Sequence, residues 1–161
     1  MKKRILLGVW IVLAILTGCS RSSPTATDIL AKLLTLPGTP PTTIYFEGAV
    51  PENDGYLSLH MEEKLYCGQS PAALSDAFAV ALCKDDQVYE IHIFHSLDEE
   101  KAEQIETILR RRQTVLQKQE NFLYDPENPG AGAVIWRRGK WVCLLVTNDN
   151  DAAKAVLREL I

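Results

Sequence analysis

Two histidines three residues apart, His92-x-x-His95, are the first residues in this 161-residue chain whose type and spacing suggest chemistry. A metal site is the chemistry they suggest. The residues around them alternate like a strand, and on a strand positions three apart point to opposite faces. The pair shares a metal only if the strand ends between them, so exposed strand-end histidines are the plainer reading. His60 stands alone. Arg112 is more informative. It lies seven residues after Ile105 and four before Leu116, on the stripe of a long helix that must be buried. It either snorkels at the core margin or pairs with an acid, or it holds a guanidinium inward to grip a carboxylate or phosphate. Trp136 and Trp141 flank a turn, with Tyr124 nearby in sequence. Aromatics near arginines make recognition patches, and they also make core with a wet edge. Asp125, Glu127 and Asn128 place three oxygen donors in one loop, short of what a calcium site needs. Cys67, Cys83 and Cys143 have no histidine in a recognisable partner motif. No phosphate loop, dinucleotide fingerprint, serine elbow or zinc helix motif is present, so no catalytic residue, metal or cofactor is assigned.

These side chains need a scaffold, and the pattern supplies most of one. Thr27 or Asp28 caps a short helix with Ile29, Leu30, Leu33 and Leu34 on one face, ended by Pro37-Gly38. Thr42 to Phe46 is a first strand, and Tyr56 to Met61 alternates like a second. Residues 62–76 suggest short helical turns, one of them started by Ser70-Pro71. Phe78 to Lys84 and Gln87 to Phe94 form a hairpin turning at Asp85-Asp86. Ser96 then caps a helix to about Gln119, with Glu99 completing a capping box. Its buried stripe is Ala102, Ile105, Leu109 and Leu116, with Ile108 beside it. Ala133 to Trp136 and Trp141 to Thr147 form a second hairpin, turning at Arg138-Gly139, followed by a helix from about Asp149 to Leu160. Val88, Ile91 and Ile93 correspond to Trp141, Leu144 and Val146 at a constant offset, a weak internal repeat. The expected fold is α+β: an antiparallel sheet built from two hairpin–helix units, helices packed on one face, and a short N-terminal helix.

The N-terminus carries a different chemistry. Lys2, Lys3 and Arg4 precede an uninterrupted apolar run from Ile5 through Leu16, which is 12 residues. Such a helix rises about 18 Å against a hydrocarbon core of roughly 30 Å, which suits a signal peptide and not a span. Leu16-Thr17-Gly18-Cys19 resembles the lipobox of bacterial lipoproteins, with small residues before a thiol that receives diacylglycerol. The expectation is cleavage between Gly18 and Cys19, lipid on Cys19, and two acyl chains, enough for stable anchoring. Residues 1–18 are then the signal, 19–26 a flexible tether and 27–161 a single domain. Three cations leave with the signal, so the formal charge falls from −4 to −7. That argues against a nucleic-acid partner and against electrostatic docking on anionic lipid. With Cys19 lipidated, an odd set of three thiols remains, which is no disulfide framework.

The run Glu99 through Arg112 to Gln119, then Tyr124-Asp125-Pro126-Glu127-Asn128, Arg138-Gly139-Lys140-Trp141-Val142 and Asn148-Asp149, resembles the domain of unknown function 4358. Leu65-Tyr66-Cys67-Gly68 fits the same local pattern, and the resemblance covers roughly residues 26–160. It implies a small lipoprotein on the outer face of a Gram-positive plasma membrane, and it carries no activity, cofactor or catalytic residue. The functional expectation is a membrane-anchored, non-catalytic binding or interaction module for an envelope protein or small ligand. Arg112, Trp141 and Tyr124 are its candidate binding residues. An envelope hydrolase, or capture of a small anion at Arg112, are the alternatives.

Overall fold

The computed structural model describes residues 23–84, 88–119 and 132–161. Chain order is α1 (Ala26–Leu33), β1 (Thr42–Phe46), α2 (Leu59–Tyr66), a 3-10 turn (Ala72–Leu74), β2 (Ser75–Cys83), β3 (Glu90–Ser96), α3 (Glu99–Gln119), β4 (Val134–Arg138), β5 (Trp141–Val146) and α4 (Asn150–Leu160). The five strands form one antiparallel sheet in the order β1-β2-β3-β5-β4. Both expected hairpins are present, and β3 pairs with β5 between them, Glu90 opposite Val146 and Phe94 opposite Val142. The fold is α+β, as the two strand–strand–helix units require.

The helices lie on both faces of the sheet, not on one as expected. Ala102, Ile105, Leu109 and Leu116 of α3 cover Val80, Phe94, Val142, Leu144 and Val146, with Leu65 and Tyr66 of α2 beside them. On the opposite face Ile29, Leu30 and Leu33 of α1 join Ala153 and Leu157 of α4 over Ala79, Ala81, Ile91, Ile93, Cys143 and Leu145. The reason is written in β5, Trp-Val-Cys-Leu-Leu-Val, an unbroken apolar run that is buried from Val142 through Val146. A strand that meets water on neither side has no polar positions to alternate with. The internal repeat fails for the same reason: Ile91 and Ile93 point to the α1–α4 face, whereas their offset partners Leu144 and Val146 point to the α3 face.

Local chemistry moves several boundaries. Thr25, not Thr27 or Asp28, caps α1 in a reciprocal capping box with Asp28, so the helix starts at Ala26, which is buried. Tyr56 to Met61 is not a strand. Ser58 accepts from the Met61 amide and starts α2, and Leu57 alone of the alternating pair turns inward. Asp98, not Ser96, caps α3 by accepting from the Lys101 amide, while Ser96 ends β3 and its hydroxyl donates to the Asp98 carbonyl. Asp149 caps α4. The second hairpin turns one residue later than expected, at Gly139-Lys140, with Gly139 at φ 54°. The expected turn at Asp85-Asp86 lies outside the described residues. Among the described residues no helix is long and apolar enough to cross a membrane.

Candidate functional site

Glu90 and His92 are two apart on β3, so both face α3. Arg112 sits on the buried stripe of α3, directly over them. Its Nε donates to Glu90 Oε2 at 3.1 Å and its Nη2 donates to Oε1, a two-pronged pair. His92 Nε2 lies 2.9 Å from Glu90 Oε2, and His92 Nδ1 lies 2.7 Å from the Tyr66 hydroxyl at the end of α2. Burial alone would raise the Glu90 carboxyl, but hydrogen bonds from His92 and Arg112 and the Arg112 charge outweigh it and hold the carboxyl down at about 2. Tyr66 is driven the other way, well above its ordinary value, first by burial and then by the Glu90 charge. A carboxylate that stays ionised accepts a hydrogen bond from the His92 Nε2–H, and a phenol that stays protonated donates to Nδ1. The chain therefore runs Tyr66 → His92 → Glu90 ← Arg112, with every polar atom named here partnered.

Hydroxyl, imidazole, carboxylate is the order of an acid–base relay. Its setting is that of a core. Tyr66 is 3% exposed and His92 is 0% exposed. Tyr66 stands edge-on to Phe94, which is itself fully buried. A reacting group needs a path for substrate, and this hydroxyl is covered on the α2 side as well as the sheet side. The arrangement locks α2 and α3 to the sheet at one rotamer and one register.

Trp141 lies on the other face and at the other end of the sheet. It packs against its cross-strand neighbour His95, ring centroids 4.6 Å apart, and His95 Nδ1 bonds Asp76. Trp141 also lines an open hollow of about 350 Å³ where α1 begins, together with Pro24, Thr27, Glu47 and Ala77. A second hollow of about 320 Å³ lies between α3 and the segment after α2, lined by Gln69, Ser70, Leu74, Gln104, Thr107 and Ile108. Arg112 lines neither.

The structure thus separates the expected binding residues. Arg112 is committed to Glu90 inside the core, the pairing reading and not the grip on a ligand. Trp141 is partly exposed on the opposite face. Tyr124, Gly18 and Cys19 lie outside the described residues, as do Asp125, Glu127 and Asn128. His92 and His95 point to opposite faces, as their spacing requires, but His92 is wholly buried and not a strand-end residue. Arg137 on β4 reaches Glu99 at 3.0 Å and Glu106 at 3.2 Å and ties β4 to the first half of α3. Cys67, Cys83 and Cys143 are free thiols, and burial pushes the Cys143 thiol up. Among the described residues no group of three or more His, Cys, Asp or Glu side chains is placed to hold a metal. Sequence reading missed Glu90 and Tyr66. The signal for Glu90 was present: two polar residues at i and i+2 inside the apolar run Val88 to Phe94, followed by a cation on the next helix's buried stripe.

No protein-family model matches this chain, and no curated protein and no solved structure matches it either.

Proposed function

We propose that this chain is a lipoprotein held by diacylated Cys19 on the outer face of a bacterial plasma membrane, and that its domain is a non-catalytic binding module for another envelope component. The observation that carries the non-catalytic half is the fate of its most reactive constellation. Tyr66, His92, Glu90 and Arg112 satisfy one another inside the core, so their chemistry is spent on fixing helices to a sheet. The charged run, the 12-residue apolar segment and Leu-Thr-Gly-Cys support the anchor. The order of residues that resembles the domain of unknown function 4358 supplies the Gram-positive setting.

Cys19→Ser tests the anchor. The variant should leave the membrane fraction or accumulate with its signal uncut, whereas unchanged retention after normal processing removes the lipoprotein reading. Mild crosslinking on intact cells, followed by pull-down of the wild-type protein, tests the module. A reproducible envelope partner is the expected result, and recovery of the protein alone counts against it.

A further inference from the structure

We infer that the end of the sheet carrying Phe46, Leu97 and Trp141 rests on the lipid headgroups of the bilayer, so that the domain is docked on the membrane and not merely leashed to it. The inference rests on lipidation at Cys19.

Chain length is the first observation. Five residue steps separate Cys19 from Pro24. At about 3.3–3.6 Å each, they span at most roughly 18 Å. Pro24 and Thr25 stand at the start of α1, beside Ala77 near the start of β2 and Trp141 at the start of β5. The same end of the sheet holds the last residue of β1, Phe46, and the last of β3, Ser96, followed by Leu97. A lipid on Cys19 therefore fixes which end of the domain is near the bilayer. The paired end, where Glu90 meets Arg112, is held away from it.

The second observation is what this end exposes. Phe46 is 37% exposed and Leu97 is 49% exposed. Val50, in the loop that leaves Phe46 and returns to it at Gly55, is 48% exposed. The partly exposed Trp141 stands at the same end on β5, with its ring against His95. Lys140 reaches the Leu97 carbonyl at 2.9 Å, placing an ammonium beside the exposed Leu97. Half-buried tryptophan, exposed leucine and a lysine at the margin are the residue types that settle at a membrane–water interface. Charge does not drive the contact. Arg138 and Lys140 are outnumbered by Glu47, Asp76, Asp98, Glu99 and Glu100 at the same end, and the processed chain is acidic overall. Attachment through Cys19 makes strong affinity unnecessary, because covalent tethering over so few residues gives an effective concentration in the millimolar range.

The test uses the full lipidated protein. Intact mass of the Cys19 peptide from the membrane fraction comes first. A peptide without diacylglycerol defeats the lipoprotein reading and this inference with it. With the lipid confirmed, the Trp136→Phe protein is reconstituted into zwitterionic phosphatidylcholine vesicles that contain lipid brominated either high or low on the acyl chain. Trp10 leaves with the signal, so Trp141 is then the sole tryptophan. Its emission should be quenched roughly twofold or more, more strongly by the shallow bromines than by the deep ones, as for an interfacial ring. Leu97→Asp should abolish that quenching while leaving the Cys19 lipid in place. A second readout needs no core substitution. Acetylation of Lys140 in the wild-type lipidated protein on vesicles should be several-fold slower than in soluble Cys19→Ser protein, while Lys32, at the far end of α1, reacts equally in both. Lipid present on Cys19 with Trp141 emission unquenched, or Lys140 as reactive as in the soluble protein, overturns docking and leaves the anchor standing.

Discussion

The two faces of the sheet are built on different principles. Beneath α1 and α4 the contact is hydrocarbon on hydrocarbon: Ile29, Leu30, Leu33 and Leu157 pack over Ala79, Ala81, Ile91, Ile93 and Leu145. The one buried ionisable sulfur there, Cys143, is kept neutral by its surroundings. Tyr89, a long polar side chain buried on this face, reaches the rim to meet the Thr39 hydroxyl at 3.2 Å. Beneath α3 and α2 an equally apolar core contains four polar side chains joined end to end. An apolar face specifies volume and tolerates sliding, whereas a hydrogen-bonded chain specifies register. The long helix is the element that most needs register, because Arg137 and Arg112 must meet their acids at both ends of it.

Breaking the polar chain at its charged end should cost most. Arg112→Ala leaves an ionised Glu90 with its main partner gone. Both side chains are nearly buried, at 13% and 10% exposure, so the loss in denaturant unfolding is about 4 kcal/mol. Glu90→Gln combined with Arg112→Met removes both charges and keeps an acceptor for His92, so it should recover most of that loss. On the opposite face Leu157→Ala should cost about 3 kcal/mol through the cavity alone, and no polar second-site change should restore it. Equal costs for Arg112→Ala and the double variant would mean that the pair acts only as packing volume.

Acid separates the faces next. The Glu90 carboxyl lies at about 2 in the folded protein against an ordinary 4.5. A depressed carboxyl stabilises fully above its unfolded value and loses that stabilisation as the pH falls towards the folded one. Between pH 4.5 and about 2 the protein should therefore lose up to about 3 kcal/mol from this group. Glu90→Gln should flatten that part of the stability profile, and Leu157→Ala should shift the whole profile down without changing its slope. A slope that survives Glu90→Gln would place the acid sensitivity elsewhere.

How much of this was legible depends on whether the information is local. The stripe of α3, the two hairpins and α4 were readable because each carries its own period. Arg112 was readable as inward-facing for the same reason. Glu90 and His92 left only a trace, two polar residues at i and i+2 in an apolar run, because their burial comes from β3 lying between β2 and β5, a fact about sheet order that no local pattern fixes. Tyr56 to Met61 misled because three alternating residues fit a strand while Ser58 fits a helix cap equally well. The placement of helices on both faces was legible in principle from the unbroken apolar run of β5. Trp141 was found from the sequence, but Pro24, Glu47 and Ala77, which line the same hollow, come from three other parts of the chain and share an end only once the sheet is assembled.

The smallest effect bears on the neutral end of the polar chain. Tyr66→Phe preserves the ring that stands against His92 and Phe94 and deletes one hydroxyl. His92 Nδ1 then faces a core with no donor, and an unmet buried acceptor costs about 1–2 kcal/mol. Tyr89→Phe makes the same chemical change on the other face, but Thr39 is only half-buried and water replaces the lost partner. Its cost should be about 0.5 kcal/mol. Nitrogen shifts of the His92 ring decide the interpretation. In the wild-type protein the proton should sit on Nε2 facing Glu90, and in Tyr66→Phe it should stay there, because the carboxylate and not the phenol fixes the tautomer. A proton that moves to Nδ1 in the variant would show that Tyr66 orients the imidazole, and that the chain is held from its α2 end.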